Sequence, residues 1–151
     1  MRKAVELLNV CRLSLRRTMT ENRLSHVIIG AAIEVHKELG PGLREDIYEE
    51  ALCYELELRG VSTRRQIKVP VVYKGKQLNK DYRLDVLVEN LVIVECKSVL
   101  DDNPVYRSQC LTHLKITGKR LGLVINFGDR FLRDGIHRIV NGLDESASPS
   151  T

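Results

Sequence analysis

One short stretch constrains the fold more than any other: Asp85-Val86-Leu87-Val88-Glu89-Asn90-Leu91-Val92-Ile93-Val94-Glu95-Cys96-Lys97. It sets Asp85, Glu95 and Lys97 inside otherwise apolar sequence of β character, where a charge needs a partner or a purpose. Glu95 and Lys97 are two residues apart, so on an extended strand both leave one face while Val92, Val94 and Cys96 take the other. The run Leu91 to Val94 reads as a covered central strand, in which a merely solvated ion pair would be out of place.

The register of the hairpin decides whether Asp85 joins the other two. A two-residue turn at Glu89-Asn90 sets Asp85 opposite Val94 and sends Glu95 to the reverse side of the sheet. A three-residue loop, Glu89-Asn90-Leu91, with Asn90 in a left-handed conformation, sets Asp85 opposite Glu95 and points both the same way as Lys97. The three-residue loop is the expectation adopted. Two carboxylates so placed repel unless a cation joins them, and an oxygen-preferring Mg²⁺ ion suits the pair, with Mn²⁺ as a substitute. Lys97 could orient a water or offset charge developing on a phosphorane. The plainer alternative is a Glu95–Lys97 surface pair on an edge strand.

Composition narrows the function. The 151 residues suffice for one domain, and an aromatic content of 5% with no Trp leaves little material for a base-stacking platform. No apolar run is long enough to span a bilayer, so no membrane partner is expected. The net charge of +4 is concentrated at the start. Residues 1–19 carry five basic side chains against Glu6, which leaves nineteen basic and nineteen acidic groups in residues 20–151. Affinity for nucleic acid must then come from local clusters such as Arg64, Arg65 and Lys68, or Lys115, Lys119 and Arg120. Cys11, Cys53, Cys96 and Cys110 have no C-x-x-C spacing and no histidine grouping, which excludes zinc or iron–sulfur patterns and reads as reduced thiols in a cytoplasmic protein.

Along the chain, residues 1–19 read as a basic extension or an upstream start, residues 20–142 as the domain, and residues 143–151 as a flexible tail. Thr20 is a candidate N-cap for a helix to about Leu39, which Gly40-Pro41-Gly42 stops. Leu43 to Leu58 reads as a second helix with Ile47, Ala51, Tyr54 and Leu58 on one stripe, Glu45 and Glu49 on a flank, and Gly60 as its stop. Strands follow over Gln66–Tyr73, Lys80–Val88 and Leu91–Ser98, as an antiparallel meander. Asp101-Asp102-Asn103-Pro104 opens a helix to about Thr117, closed by Gly118. Leu121–Asn126 is a buried strand, parallel to the Leu91–Ser98 strand by the right-handed crossover rule. A last helix is expected near Asp129 to Val140.

This αβββαβ order, an α/β fold with a mixed central sheet flanked by helices and D…ExK on its second and third strands, resembles the restriction-endonuclease-like core of the PD-(D/E)XK nuclease superfamily. The segment Gly42-Leu43-Arg44-Glu45-Asp46-Ile47-Tyr48 is similar to the signature of the GxxExxY proteins, as are Ile29 to His36 and Gly122 to Gly128. The resemblance covers roughly residues 20–142. It implies that Asp85 and Glu95 ligate Mg²⁺ with the backbone carbonyl of Cys96, that Lys97 is the catalytic lysine, that Glu45 is an accessory acid and that Gln109 is directed toward the site. Leu84 stands where the superfamily name has proline, and His113 where the family has tyrosine.

The function so implied is metal-dependent hydrolysis of nucleic-acid phosphodiesters, DNA first, in repair, recombination or defence; a second copy or a protein partner is left open. The alternative is a non-catalytic module of the same fold that binds nucleic acid or protein. Plainer readings stand beside several residues: Glu45 as a solvated acid, Tyr48 as a core aromatic with its hydroxyl bonded, and Gln109 as a capping or bridging group. Gly40 and Gly42 serve backbone turns, since no Lys-Ser or Lys-Thr pair follows to make a P-loop.

Overall fold

The computed structural model describes residues 19–144; the arginine-rich segment and the tail assigned from sequence lie outside these apart from their inner ends. Helix α1 (Glu21–Leu39) starts where Thr20 accepts a hydrogen bond from the Arg23 amide, and ends at Gly40. Helix α2 (Glu45–Leu58) follows, then β1 (Thr63–Tyr73), β2 (Lys76–Val88), β3 (Val92–Lys97), α3 (Val105–Thr117), β4 (Leu121–Asn126), a 3₁₀ turn (Leu132–Gly135) and β5 (Ile136–Val140). The five strands form one sheet in the order β1-β2-β3-β4-β5. β3 lies at its centre, antiparallel to β2 and parallel to β4.

Helices cover both faces of β3, which explains its unbroken apolar run. Val92, Val94 and Cys96 pack with Leu121, Leu123 and Ile125 of β4 beneath α1 and α2, against Leu24, Ile28, Ala31, Tyr48, Leu52 and Leu56. On the reverse face Ile93 meets Leu84, Leu87 and Leu114 of α3. The approach of α3 to β4 requires Gly122, because a Cβ there would come within 2.5 Å of Cys110 Sγ.

Two expectations are corrected. The stripe Ile47, Ala51, Tyr54, Leu58 is not the buried face of α2: Tyr54 and Leu58 are 62% and 63% exposed, and the core takes Tyr48, Leu52 and Leu56 instead. The α2 sequence carries apolar residues at helical spacing on both sides, and burial follows the side that stacks Tyr48 on Phe127 at 4.6 Å between ring centroids. The helix expected near Asp129 to Val140 is a 3₁₀ turn followed by β5, antiparallel to β4. A helix over this stretch would leave the outer edge of β4 unpaired, whereas the β-branched residues Ile136, Ile139 and Val140 suit a short edge strand. Gly135 allows the tight entry, its Cα lying so close to Asn126 that a Cβ would sit 2.5 Å from that residue's carbonyl oxygen.

Candidate active site

The β2–β3 connection is the three-residue loop Glu89-Asn90-Leu91, because Val88 pairs with Val92, Leu87 with Ile93 and Val86 with Val94. Asn90 is left-handed at φ 58°, and Glu89 shares that conformation at φ 49°. The strained Glu89 is tied down from β1's side: its amide donates to the Ser62 carbonyl at 2.9 Å, and its carboxylate accepts from the Ser62 amide at 2.7 Å. Continuing this register sets Asp85 opposite Glu95, but ladder pairing stops at Val86. There the Asp85 carboxylate accepts a 3.0 Å hydrogen bond from the Cys96 amide, taking the place of a backbone acceptor where β2 and β3 part.

The three charged groups do not leave one face as the strand pattern implied. Glu95 and Lys97 do face α3: Glu95 is buried and hydrogen-bonded to Nδ1 of His113, and Lys97 Nζ lies 4.9 Å from the centre of the Tyr106 ring. Asp85 instead lines an open cleft of about 490 Å³ on the α2 side, with Glu45, Glu49, Gln66 and Ser98. Strict alternation fails in both strands at this level. Arg65 and Gln66, adjacent in sequence, both reach Glu49, and Gln66 has φ 50°. Arg65 pairs with Val86, packed under α1 and α2, whereas Gln66 and Asp85 drop out of the ladder at this level and Asp85 turns to the same side as Val86.

The electrostatics of Asp85 reflect this setting. Burial raises its pKa to about 6, and the Glu49 and Glu95 carboxylates push the same way against the Cys96 hydrogen bond and Lys97. Glu95 and Lys97 therefore act on Asp85 although their side chains leave the sheet on its other side. Burial likewise pushes the Cys96 thiol well up, so this residue meets the site through its backbone rather than as a nucleophile.

Glu45 is the first residue of α2, exposed, with its carboxylate 3.4 Å from the Ser98 amide. The spacing of the surrounding motif has a structural cause. Gly42 adopts φ 102°, open to glycine, and the Tyr48 hydroxyl donates to the Gly40 carbonyl while accepting from the Leu43 amide. One turn of helix thus ties down the entry loop and stands Glu45 at the mouth of the cleft. Gln109 is exposed on α3 between Tyr106 and His113, and its side chain makes no hydrogen bond to other described residues.

Sequence reasoning passed over three residues that build the site. Glu49, only 3% exposed, accepts from Arg65 Nε at 2.9 Å and from Gln66 Nε2 at 3.0 and 3.1 Å. Its i+4 spacing from Glu45 was the available signal, read as a solvated flank. His113, noted as a departure, is the partner of Glu95 and stacks on Tyr82 at 4.6 Å. Asn126 joins the loops that leave β3 and β4: its side chain accepts from the Val99 and Gly128 amides and donates to the Val99 carbonyl.

Among the described residues no three His, Cys, Asp or Glu side chains are grouped closely enough to hold a metal ion. The donor chemistry of the narrower pair nevertheless fits a hard cation. Asp85 and Glu95 each commit one oxygen, to Cys96 and to His113, and keep one, which matches an ion that takes one or two carboxylates and completes its shell with water and phosphate. The Tyr82 hydroxyl, buried with no hydrogen-bond partner and close enough to feel the Glu95 charge, is a spare donor for a water in such a shell.

A mixed sheet that splits at its centre, with carboxylates and a lysine at the split and helices on both faces, is the architecture of a nuclease-like α/β domain. The sequence model of the PD-(D/E)XK nuclease superfamily matches residues 22–139, and the chain belongs to that superfamily. Comparison with curated proteins and with solved structures gave no match. Membership indicates a nuclease, with nucleic acid as substrate and divalent metal ions as the superfamily's usual cofactor. No helix among the described residues is long and apolar enough to cross a membrane.

Proposed function

We propose that this protein is a Mg²⁺-dependent deoxyribonuclease that hydrolyses phosphodiester bonds at the split between β2 and β3. The observation that carries this reading is the Asp85 carboxylate seated on the Cys96 amide, one residue from Glu95, with Lys97 next along the same strand face as Glu95. Asp85 and Glu95, with the Cys96 carbonyl, would hold a divalent ion that polarises a phosphoryl oxygen and eases deprotonation of a bound water. Lys97 would orient the attacking water and offset charge on the phosphorane; the Tyr106 ring beneath its ammonium limits its wandering. His113 fixes the rotamer of Glu95, as groups behind a metal ligand commonly do. Glu45, at the mouth of the cleft, would be the accessory acid, and Gln109, on α3 between Tyr106 and His113, would approach from the side that carries Glu95 and Lys97. The Gly42–Tyr48 segment supports placement among the GxxExxY proteins.

A second reading, a binding module that keeps the fold without the chemistry, draws on one observation: Asp85 and Glu95 turn to opposite sides of the sheet. End-labelled single- and double-stranded DNA and RNA, incubated with purified protein and Mg²⁺ or Mn²⁺, separate the two. Cleavage of DNA that EDTA abolishes is expected; a folded protein that cuts none of the four would support the module instead.

A further inference from the structure

The last β2 residue paired with β3 is Val86, so within Lys76–Asp85 the strand's ladder partners come from β1 alone, with a bulge where the register shifts between Pro70 and Val72. Measured along β1 from Gln66 to Tyr73, at about 3.3 Å per residue, this two-stranded arm runs roughly 25 Å from the split, away from the hairpin loop. Its base is buttressed where Ile67, Val69 and Tyr82 pack on the α3 side. Beyond that, every residue from Val72 to Asp81 is exposed. The arm is also strongly basic. Residues 67–83 contain Lys68, Lys74, Lys76, Lys80 and Arg83 against the single acid Asp81, in a domain whose remaining charge is therefore negative.

Two features of this charge point to a ligand. Lys68 stands directly opposite Arg83 in the ladder, an arrangement that costs stability unless an anion lies between or over the pair. The side chains of Lys68, Lys76, Lys80 and Arg83 form no ion pair or hydrogen bond among the described residues. The facing is also specific. Ile67 and Leu84 belong to the α3 side, so their neighbours Lys68 and Arg83 point to the α2 side, one step outward from Gln66 and Asp85 along the face that holds the cleft.

We propose that the β1–β2 arm is the element that grips the substrate, a B-form DNA duplex, with Lys68 and Arg83 on the phosphates nearest the cleft and Lys76 and Lys80 farther along. This rests on the nuclease reading for its substrate class and adds the surface and the strandedness. A two-stranded ribbon fits the major groove of B-form DNA, about 12 Å wide, whereas the deep, narrow major groove of duplex RNA does not admit it. A single strand would call for stacking aromatics, and the exposed aromatic at the arm's tip, Tyr73, is already covered by Lys74 at 5.5 Å.

The test is fluorescence anisotropy of a labelled DNA duplex in EDTA, so that binding is read without cleavage, over a salt series. A Lys68→Gln/Lys80→Gln/Arg83→Gln variant should bind roughly tenfold or more weakly, with a log affinity against log salt slope smaller by about 2 to 3. A charge-keeping Lys68→Arg/Lys80→Arg/Arg83→Lys variant should bind like the wild type. An unchanged slope in the neutralised variant, an equal loss in the charge-keeping one, or tighter binding to single strands, RNA duplex or anionic vesicles would overturn the proposal. Duplex binding through the arm with no cleavage in Mg²⁺ would refute the nuclease and leave the arm standing. Cleavage indifferent to the neutralised variant would refute the arm and leave the nuclease.

Discussion

Replacing Asp85 with asparagine should stabilise the metal-free protein at neutral pH while removing its activity. The fold holds Asp85 half-buried near Glu49 and Glu95, raising its pKa from 3.8 to about 6. The unfolded chain therefore gives up this proton at lower pH than the native state does. Stability tied to this group is intact below about pH 4 and is lost as pH rises to about 6. At roughly 1.4 kcal/mol per pH unit the loss at neutral pH is about 3 kcal/mol, a sizeable share of the ~5–15 kcal/mol that holds a domain together. Asparagine cannot titrate, and its carbonyl can still accept from the Cys96 amide at the 3.0 Å position of the carboxylate. Urea unfolding in EDTA should then show a midpoint for Asp85→Asn higher by about 1 M at roughly pH 7.5, with the gap closing toward pH 4. A wild type as stable as Asp85→Asn at neutral pH, or a gap that persists in acid, would refute the reasoning.

Glu49→Ala should destabilise the fold by about 1–3 kcal/mol, because Arg65 and Gln66 lose their shared acceptor; urea unfolding at neutral pH reads this. The same change removes a neighbour that raises the Asp85 pKa, so the pH window of the metal-free protein should move downward. His113→Ala should weaken metal affinity by about 10- to 100-fold, measured by titration calorimetry, since Glu95 loses the group that orients it. Unchanged affinity would show that contact to be idle.

The chain spells out the centre of its sheet more clearly than its margins. β3 and its hairpin were legible because a four-residue apolar run between polar residues marks the strand, and the register that sets Asp85 opposite Glu95 requires the three-residue loop. The crossover through α3 followed from the handedness of strand–helix–strand units. The aim of Asp85 was not legible. Alternation predicts side-chain direction only while the backbone stays extended, and it breaks at Gln66, a residue of ordinary type held at positive φ by its bonds to Glu49. The buried face of α2 was hidden for a related reason. Nothing in the helix itself distinguishes Tyr48, Leu52 and Leu56 from Ile47, Ala51, Tyr54 and Leu58; the choice is made by Phe127 and by the β1 residues that draw Glu49 inward. β5 escaped because five residues at an edge give too little periodicity to separate a strand from a helical turn.

The most direct test of the account is the single-turnover rate of DNA cleavage in Mg²⁺ by the wild type and by Glu95→Ala and Lys97→Ala, each checked for an unchanged circular dichroism spectrum. The account predicts a loss of about 10³-fold or more in Glu95→Ala, with Lys97→Ala impaired in rate while its metal affinity is kept. Folded variants that cut DNA as fast as the wild type would contradict it.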